Sequence, residues 1–183
     1  MGNEKQWIKT IQRNGNEHAA NALVSKYYNE MYAFVYKQTL DTELSLDLTQ
    51  ELFISVLKSI NGFDRKKASF RTWLYKIASN RLVDYYRSKS YRYAQIEQPI
   101  EDYEFEDHYD MTVSLEYKED YEEINRLVNE LDARSQQIIR LKLFGEYTLQ
   151  QISSIETIPL STVKTRYYAA LKLIRKGMEE THG

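Results

Sequence analysis

The sequence predicts an all-α protein, with two helical domains joined by a flexible acidic linker. Three observations lead there: apolar residues recur at helical spacing over most of the 183 residues, glycine and proline number only six and two, and charge segregates into blocks. Residues 61–93 carry nine Lys/Arg against two Asp, residues 94–123 twelve Asp/Glu against one Lys, and residues 134–176 eight Lys/Arg against two Glu. The net charge of −2 therefore conceals two basic segments around an acidic one. Basic helical blocks suit a polyanion or are plain solvated surface. An acidic stretch with little periodicity reads as a linker.

In chain order, Trp7, Ile8 and Ile11 give a short helix that ends at Asn14 and Gly15, and Asn16 is placed to cap the next. That helix buries Ala20, Leu23, Val24, Tyr27, Met31, Phe34 and Val35. A third helix over residues 46–60 turns Leu48, Leu52, Phe53, Val56 and Ile60 inward, and Asn61 with Gly62 breaks it. Residues 61–69 form a loop, and a long helix follows over 70–88, packed through Phe70, Trp73, Leu74, Ile77, Ala78 and Tyr85. Residues 1–90 thus form one domain with its own core, and 91–114 are the linker. The second domain, 115–183, resumes helical spacing at Tyr121, Ile124, Leu127, Val128 and Leu131.

In the second domain, residues 133–144 read as an amphipathic helix through Ile138, Ile139, Leu141 and Leu143, with Gly145 as its C-cap. Thr148 caps a short helix over 149–155, in which Leu149, Ile152 and Ile155 point inward. Glu156 and Thr157 turn into a last helix over 158–176. There Val163, Tyr167, Ala170 and Ile174 make one buried stripe, Pro159 suits the helix start, and Ser161 or a neighbour caps it. The order of support helix, short helix, tight turn and second helix is that of a helix-turn-helix, whose second helix enters the major groove. Ser161, Lys164, Thr165 and Tyr168 fall opposite the stripe, where side chains meet bases and phosphates; a solvated basic face would look the same.

Two further faces stand out. On the third helix Asp47, Gln50, Glu51, Ile54 and Lys58 lie opposite the core, an apolar centre among polar residues, as a protein-binding face begins. On the helix over 70–88, Lys76, Asn80 and Arg87 form a stripe beside Trp73 and Val83, and the preceding loop adds Arg65, Lys66 and Lys67. Cations beside rings suit unpaired nucleic acid, although Trp73 fits the core in either case.

Other chemistry finds little support. The chain has no cysteine, hence neither disulfides nor thiolate metal sites, and a reducing compartment fits. His18, His108 and His182 do not stand at metal-ligand spacing, so no metal, cofactor or small-molecule substrate is expected. No membrane span or signal-peptide layout is visible, and a soluble cytoplasmic protein is expected.

The residues 47–53, DLTQELF, with Phe63, and 70–87, FRTWLYKIASNRLVDYYR, resemble region 2 of bacterial sigma factors. Phe70, Trp73, Leu74, Ile77, Ala78, Asn80, Asp84 and Arg87 match the pattern of its promoter-opening helix. Residues 131–153 with 158–166 are similar to the region that reads the −35 element. Two domains and a short linker resemble the extracytoplasmic-function type of the sigma-70 family. Asp132 stands where the family usually has proline, and Thr157 where a turn glycine is common.

The resemblance implies a promoter-specificity subunit, not an enzyme, that binds core RNA polymerase, recognises −10 and −35 elements and assists promoter opening. Asp47, Gln50, Glu51 and Ile54 would dock on the clamp helices of the β′ subunit; the β subunit is a further expected contact. Asn61, Phe63, Arg65, Lys66, Lys67, Lys76, Asn80 and Arg87 would hold the −10 element unpaired, with a base flipped into a pocket of the loop. Ser161, Thr162, Lys164, Thr165, Arg166 and Tyr168 would meet the −35 duplex, Lys164 and Arg166 at phosphates. An anti-sigma factor, commonly membrane-anchored, is an expected partner. The acidic linker would mimic RNA in the polymerase channels or serve as a solubilising tether. Two other classes fit less of the chain. An autonomous dimeric regulator would have its acidic block repel DNA. An Mg²⁺ enzyme using carboxylates of residues 101–110 lacks a rigid scaffold for its ligands.

Overall fold

The structure, a computed structural model, describes residues 3–88 and 115–183. The expected linker over 91–114, with its acidic residues and His108, lies outside the described residues. Every regular element among the described residues is helical, and none of these helices is long and apolar enough to cross a membrane.

The N-terminal helices begin and end where local chemistry dictates. Helix α1 (Glu4–Asn14) stops at Gly15, which takes the left-handed conformation at φ 64° and returns its N–H to Ile11. The Asn16 side chain accepts the Ala19 N–H at 2.8 Å and starts α2 (Glu17–Thr39). Helix α3 (Thr42–Ser59) begins earlier than the apolar pattern predicts, because Asp41 accepts the Leu44 N–H at 2.9 Å and sets the boundary. A 3₁₀ turn at Ile60–Gly62 closes it. Ser69 then caps α4 (Phe70–Arg87) through the Thr72 N–H at 3.1 Å.

These four helices close on an aromatic centre. The Phe70 ring lies 5.6 Å from Tyr27, 5.4 Å from Phe63 and 5.7 Å from Trp73, in tilted or edge-on pairs. Such pairs contribute about 0.5–1.5 kcal/mol each beyond the area they bury. Ala20 and Val24, expected in the core, are only half-buried at its margin, as is Tyr85, whose neighbour Tyr86 is buried instead.

Helix α5 (Leu115–Asn129) leads into α6 (Ala133–Ile139). Asp132 accepts the Ser135 N–H at 3.0 Å, so the residue that replaces the usual proline supplies a cap. The helix expected over 133–144 is not regular to its end: Arg140–Phe144 form a π turn. Its wider turn leaves Leu143 40% exposed rather than buried. Gly145 is no left-handed cap either; φ is −89°, and Glu146 takes the left-handed conformation at φ 59°. Tyr121, expected inside, is 37% exposed. Thr148 and Gln151 form a reciprocal capping box at the start of α7 (Leu149–Glu156), with bonds of 3.1 and 2.8 Å. Helix α8 (Leu160–His182) is longer than expected and starts at Pro159 with no side-chain cap, so Ser161 does not cap it.

The C-terminal helices hold together through Leu127, Val128, Leu131, Ile139, Ala170 and Ile174. A second set, Ile138, Leu141, Tyr147, Ile152 and Val163, joins the buried cluster of α1 to α4. The core of the first 90 residues therefore continues into α6 and α7, an arrangement that periodicity within each segment did not indicate.

Gly145 is required by close approach, not by φ: a Cβ there would sit 2.8 Å from the Leu141 carbonyl oxygen. Gly145→Ala should cost about 1–3 kcal/mol, as overpacking does. The expected readout is a lower urea midpoint at unchanged m-value.

Candidate nucleic-acid and protein interfaces

The face of α3 opposite the core is open. Leu48, Thr49, Leu52, Phe53 and Val56 turn inward, which leaves Asp47, Gln50, Glu51 and Ile54 exposed on the other side. Ile54 is 53% exposed and Leu46 beside it 39%. Asp47 and Glu51 make no ion pair among the described residues. An apolar centre with free carboxylates at its rim can bury its middle against a partner and keep its charges for cations at the edge.

The second face combines the loop before α4 with one side of that helix. Asn61, Arg65, Lys66 and Lys67 are exposed. The loop is anchored at its base: the Gln12 amide donates to the carbonyls of Ile60 at 2.8 Å and Phe63 at 3.2 Å. At its tip the Asp64 carboxylate accepts the Lys66 N–H at 2.9 Å. Phe63 is 7% exposed and stacked among Phe70 and Trp73, so it shapes the loop from beneath and offers no ring to solvent. On α4, Asn80 and Arg87 are exposed. Lys76 departs from the expected stripe. It is half-buried, and its Nζ donates to the Ile155 carbonyl of α7 at 3.1 Å.

The third face is the start of α8. Ser161, Lys164, Thr165 and Tyr168, spaced by three and four, are all exposed, Tyr168 to 60%. Thr162 is half-buried, and the Thr165 hydroxyl donates to the Ser161 carbonyl at 2.9 Å. Thr157 takes the left-handed conformation at φ 55° although no glycine stands there, so the tight turn keeps its shape at a cost of roughly 1 kcal/mol. The Ser153 hydroxyl donates to the Ile158 carbonyl at 2.6 Å and fixes the same turn. Arg166 is drawn sideways: its Nη1 lies 3.2 Å from the Asp132 carboxylate. Partial burial pushes the Asp132 carboxyl up, but bonds from Ser135 and the Arg166 charge outweigh it, and the group titrates below the usual carboxylate range. A groove of about 600 Å³ separates α8 from the α5–α6 turn, lined by Asp132, Thr162, Arg166 and Leu173 among others.

One group of residues was invisible to the sequence reading. Arg140 is wholly buried with no carboxylate beside it. Its guanidinium donates to Gln38 Oε1 at 3.1 Å, Asn129 Oδ1 at 2.7 Å and Gln136 Oε1 at 3.0 Å, and lies 5.2 Å from the Tyr86 ring centre. Burial pushes it down to about 10, still charged at neutral pH. Among the described residues no group of His, Asp and Glu is arranged to hold a metal ion.

Comparison with known proteins matches these elements to one family. The model of sigma-70 region 2 matches residues 23–92, which contain α3, the loop and α4, and that of sigma-70 region 4 matches residues 121–174, which contain the helix-turn-helix. The chain is 29% identical to the ECF RNA polymerase sigma factor SigW of Bacillus subtilis, over 96% of this chain and 97% of that protein. It is 28% identical to the ECF RNA polymerase sigma-E factor of Haemophilus influenzae, over 94% and 93%. Among solved structures, CnrH in complex with the cytosolic domain of CnrY shares the fold at a TM-score of 0.60 and 15% identity, over 97% of this chain and 99% of that one. The sigma factor RpoE in complex with the anti-sigma factor NepR from Bartonella quintana does so at 0.56 and 18%, over 87% and 96%.

The Asp132–Arg166 pair yields a test. Asn caps a helix as well as Asp does, so Asp132→Asn should leave thermal stability nearly unchanged while freeing Arg166. Duplex DNA affinity should rise several-fold and its salt slope steepen by up to about 1. Titration at several salt concentrations would read both.

Proposed function

We infer what each face does from one premise: the chain belongs to the sigma-70 family of RNA polymerase sigma factors, in its extracytoplasmic-function type. It serves promoter-specific initiation of transcription by RNA polymerase. The observation that supports a division of labour is that three faces of different chemistry lie on different elements of one chain. The exposed surface of α3, centred on Ile54, docks on the clamp helices of the polymerase β′ subunit. The cationic loop of Asn61, Arg65, Lys66 and Lys67, with Asn80 and Arg87 of α4, tracks the unpaired strand of the −10 element. Phe63 holds that loop from beneath, and Lys76 joins the face once its bond to Ile155 is released.

The exposed start of α8 reads the −35 element as duplex. Ser161, Thr165 and Tyr168 reach base edges, Lys164 meets phosphate, and Arg166 and Thr162 border the groove. The division of the chain into residues 1–90, 91–114 and 115–183 follows these duties. The protein binds and positions rather than catalyses, and it works in the cytoplasm beside core polymerase and promoter DNA. Contact with the β subunit belongs to the same assembly. Neighbours of this fold are held by partner proteins, CnrY and the anti-sigma factor NepR. An anti-sigma factor, anchored in a membrane, is accordingly a proposed partner here.

Two substitutions test the assignments separately. Asp47→Arg with Gln50→Ala should abolish binding to core polymerase while the circular dichroism spectrum and melting temperature stay as they are. A double variant that still binds would place the docking face elsewhere. Lys164→Ala should weaken use of all promoters similarly and lower the salt slope by about 1. In vitro transcription on a library of promoter fragments would separate this from a loss confined to particular −35 sequences.

A further inference from the structure

The faces proposed above imply a distance that the observed arrangement does not allow. Elements named −35 and −10 lie roughly 25 base pairs apart, about 85 Å at 3.4 Å per pair. A compact chain of 183 residues has a radius of gyration of about 16 Å and so a diameter near 40 Å. Here the two family-matched segments are packed together. Ile138, Leu141, Tyr147 and Ile152 complete the core of α1 to α4, and the Tyr147 ring meets Tyr75 edge-on at 5.5 Å. Four polar contacts cross the junction besides. Arg140 binds Gln38 and faces Tyr86, the Asn125 amide donates to the Lys37 carbonyl at 3.1 Å, and Gln137 donates to the Lys76 carbonyl at 3.4 Å. The Lys76 ammonium in turn donates to the Ile155 carbonyl at 3.1 Å.

The junction is not that of a permanent core. Arg140 Nε, Gln137 Oε1, Asn125 Oδ1 and the Tyr147 hydroxyl are buried without a hydrogen-bond partner, and the Arg140 charge has no counter-ion. Each of these groups gains water when the junction parts, which offsets part of the apolar area lost. The closed state treats the three faces unequally. Ile54 with its polar rim and the start of α8 stay exposed, whereas Lys76 is taken from the −10 face by α7.

We propose that the free chain is held in a closed, idle state by a junction latched at Arg140 on Gln38 and Tyr86, and that this junction must open before one chain reaches both promoter elements. The proposal rests on the sigma-factor reading and deepens it. Polymerase captures the closed chain by α3, and opening follows docking, delivering Lys76 to the −10 strand. The latch therefore regulates initiation after recruitment and within the chain itself.

The chain has no cysteine, so a pair can be introduced cleanly. Lys37 is exposed, and Tyr121 is 37% exposed one helical turn from Asn125, whose amide binds the Lys37 carbonyl. In the full chain, Lys37→Cys with Tyr121→Cys should cross-link within one molecule when treated with a short bis-maleimide. The cross-linked protein should still bind core polymerase, within a few-fold of the unlinked double variant, and lose at least ~20-fold in promoter-directed transcription. Single-cysteine variants treated identically should keep it. Gln38→Leu removes the acceptor that the α2 side gives Arg140; it should raise the open fraction at least ~10-fold, read as slower cross-linking and faster amide exchange at the junction.

A cross-linked chain that transcribes as well as the unlinked one would overturn the latch, as would failure to cross-link in the free protein. A distinct result, no transcription and no polymerase binding by the unmodified chain, would overturn the sigma-factor reading on which the latch stands.

Discussion

A guanidinium removed from water without a counter-ion constrains much of this structure. Isolated burial of such a charge costs several kcal/mol, so every acceptor near Arg140 is committed to it. Gln38 at the end of α2, Asn129 at the end of α5 and Gln136 within α6 each supply an oxygen, and Tyr86 supplies a ring face. Those groups come from four helices, and meeting them at once fixes how the helices cross. Gln38 is itself held by its donation to the Phe34 carbonyl at 2.8 Å, which ties the polar junction to the aromatic core.

Outside that junction the chain divides its work by face. The same α3 that packs Leu52 and Phe53 inward presents Ile54 outward, so core stability and partner binding draw on alternate positions of one helix. Helix α8 does likewise with Val163, Ala170 and Ile174 inside and Lys164, Thr165 and Tyr168 outside. The loop before α4 works differently. It has no helix to orient it and relies on Gln12 and the buried Phe63 to hold its cations in place.

Much of this was legible in the sequence because its physics is local. Helix existence followed from apolar spacing; Asn16, Thr148 and Gly15 punctuated as caps do; and the faces of α3 and α8 followed from counting 100° per residue. What escaped notice is non-local or polar. Asp41 started α3 before its apolar pattern did, and the π turn after Ile139 carried Leu143 outward. Lys76 looked like a stripe residue until α7 supplied a carbonyl for it. Arg140 and Gln38 read as surface because charge and amides ordinarily are surface, and no periodicity marks a polar residue that a distant segment will bury.

The π turn has a consequence for how this family can vary. Its Gly145 N–H returns to the Arg140 carbonyl, one residue further back than in an α-helix. Removing one residue between 140 and 144 would restore ordinary helix, yet everything downstream would be rotated by about 100° relative to α6. Tyr147 would leave its place against Tyr75, and the helix-turn-helix would point elsewhere. Length in this five-residue stretch is thus more tightly constrained than its composition. An alignment of relatives should tolerate substitutions there far more readily than gaps.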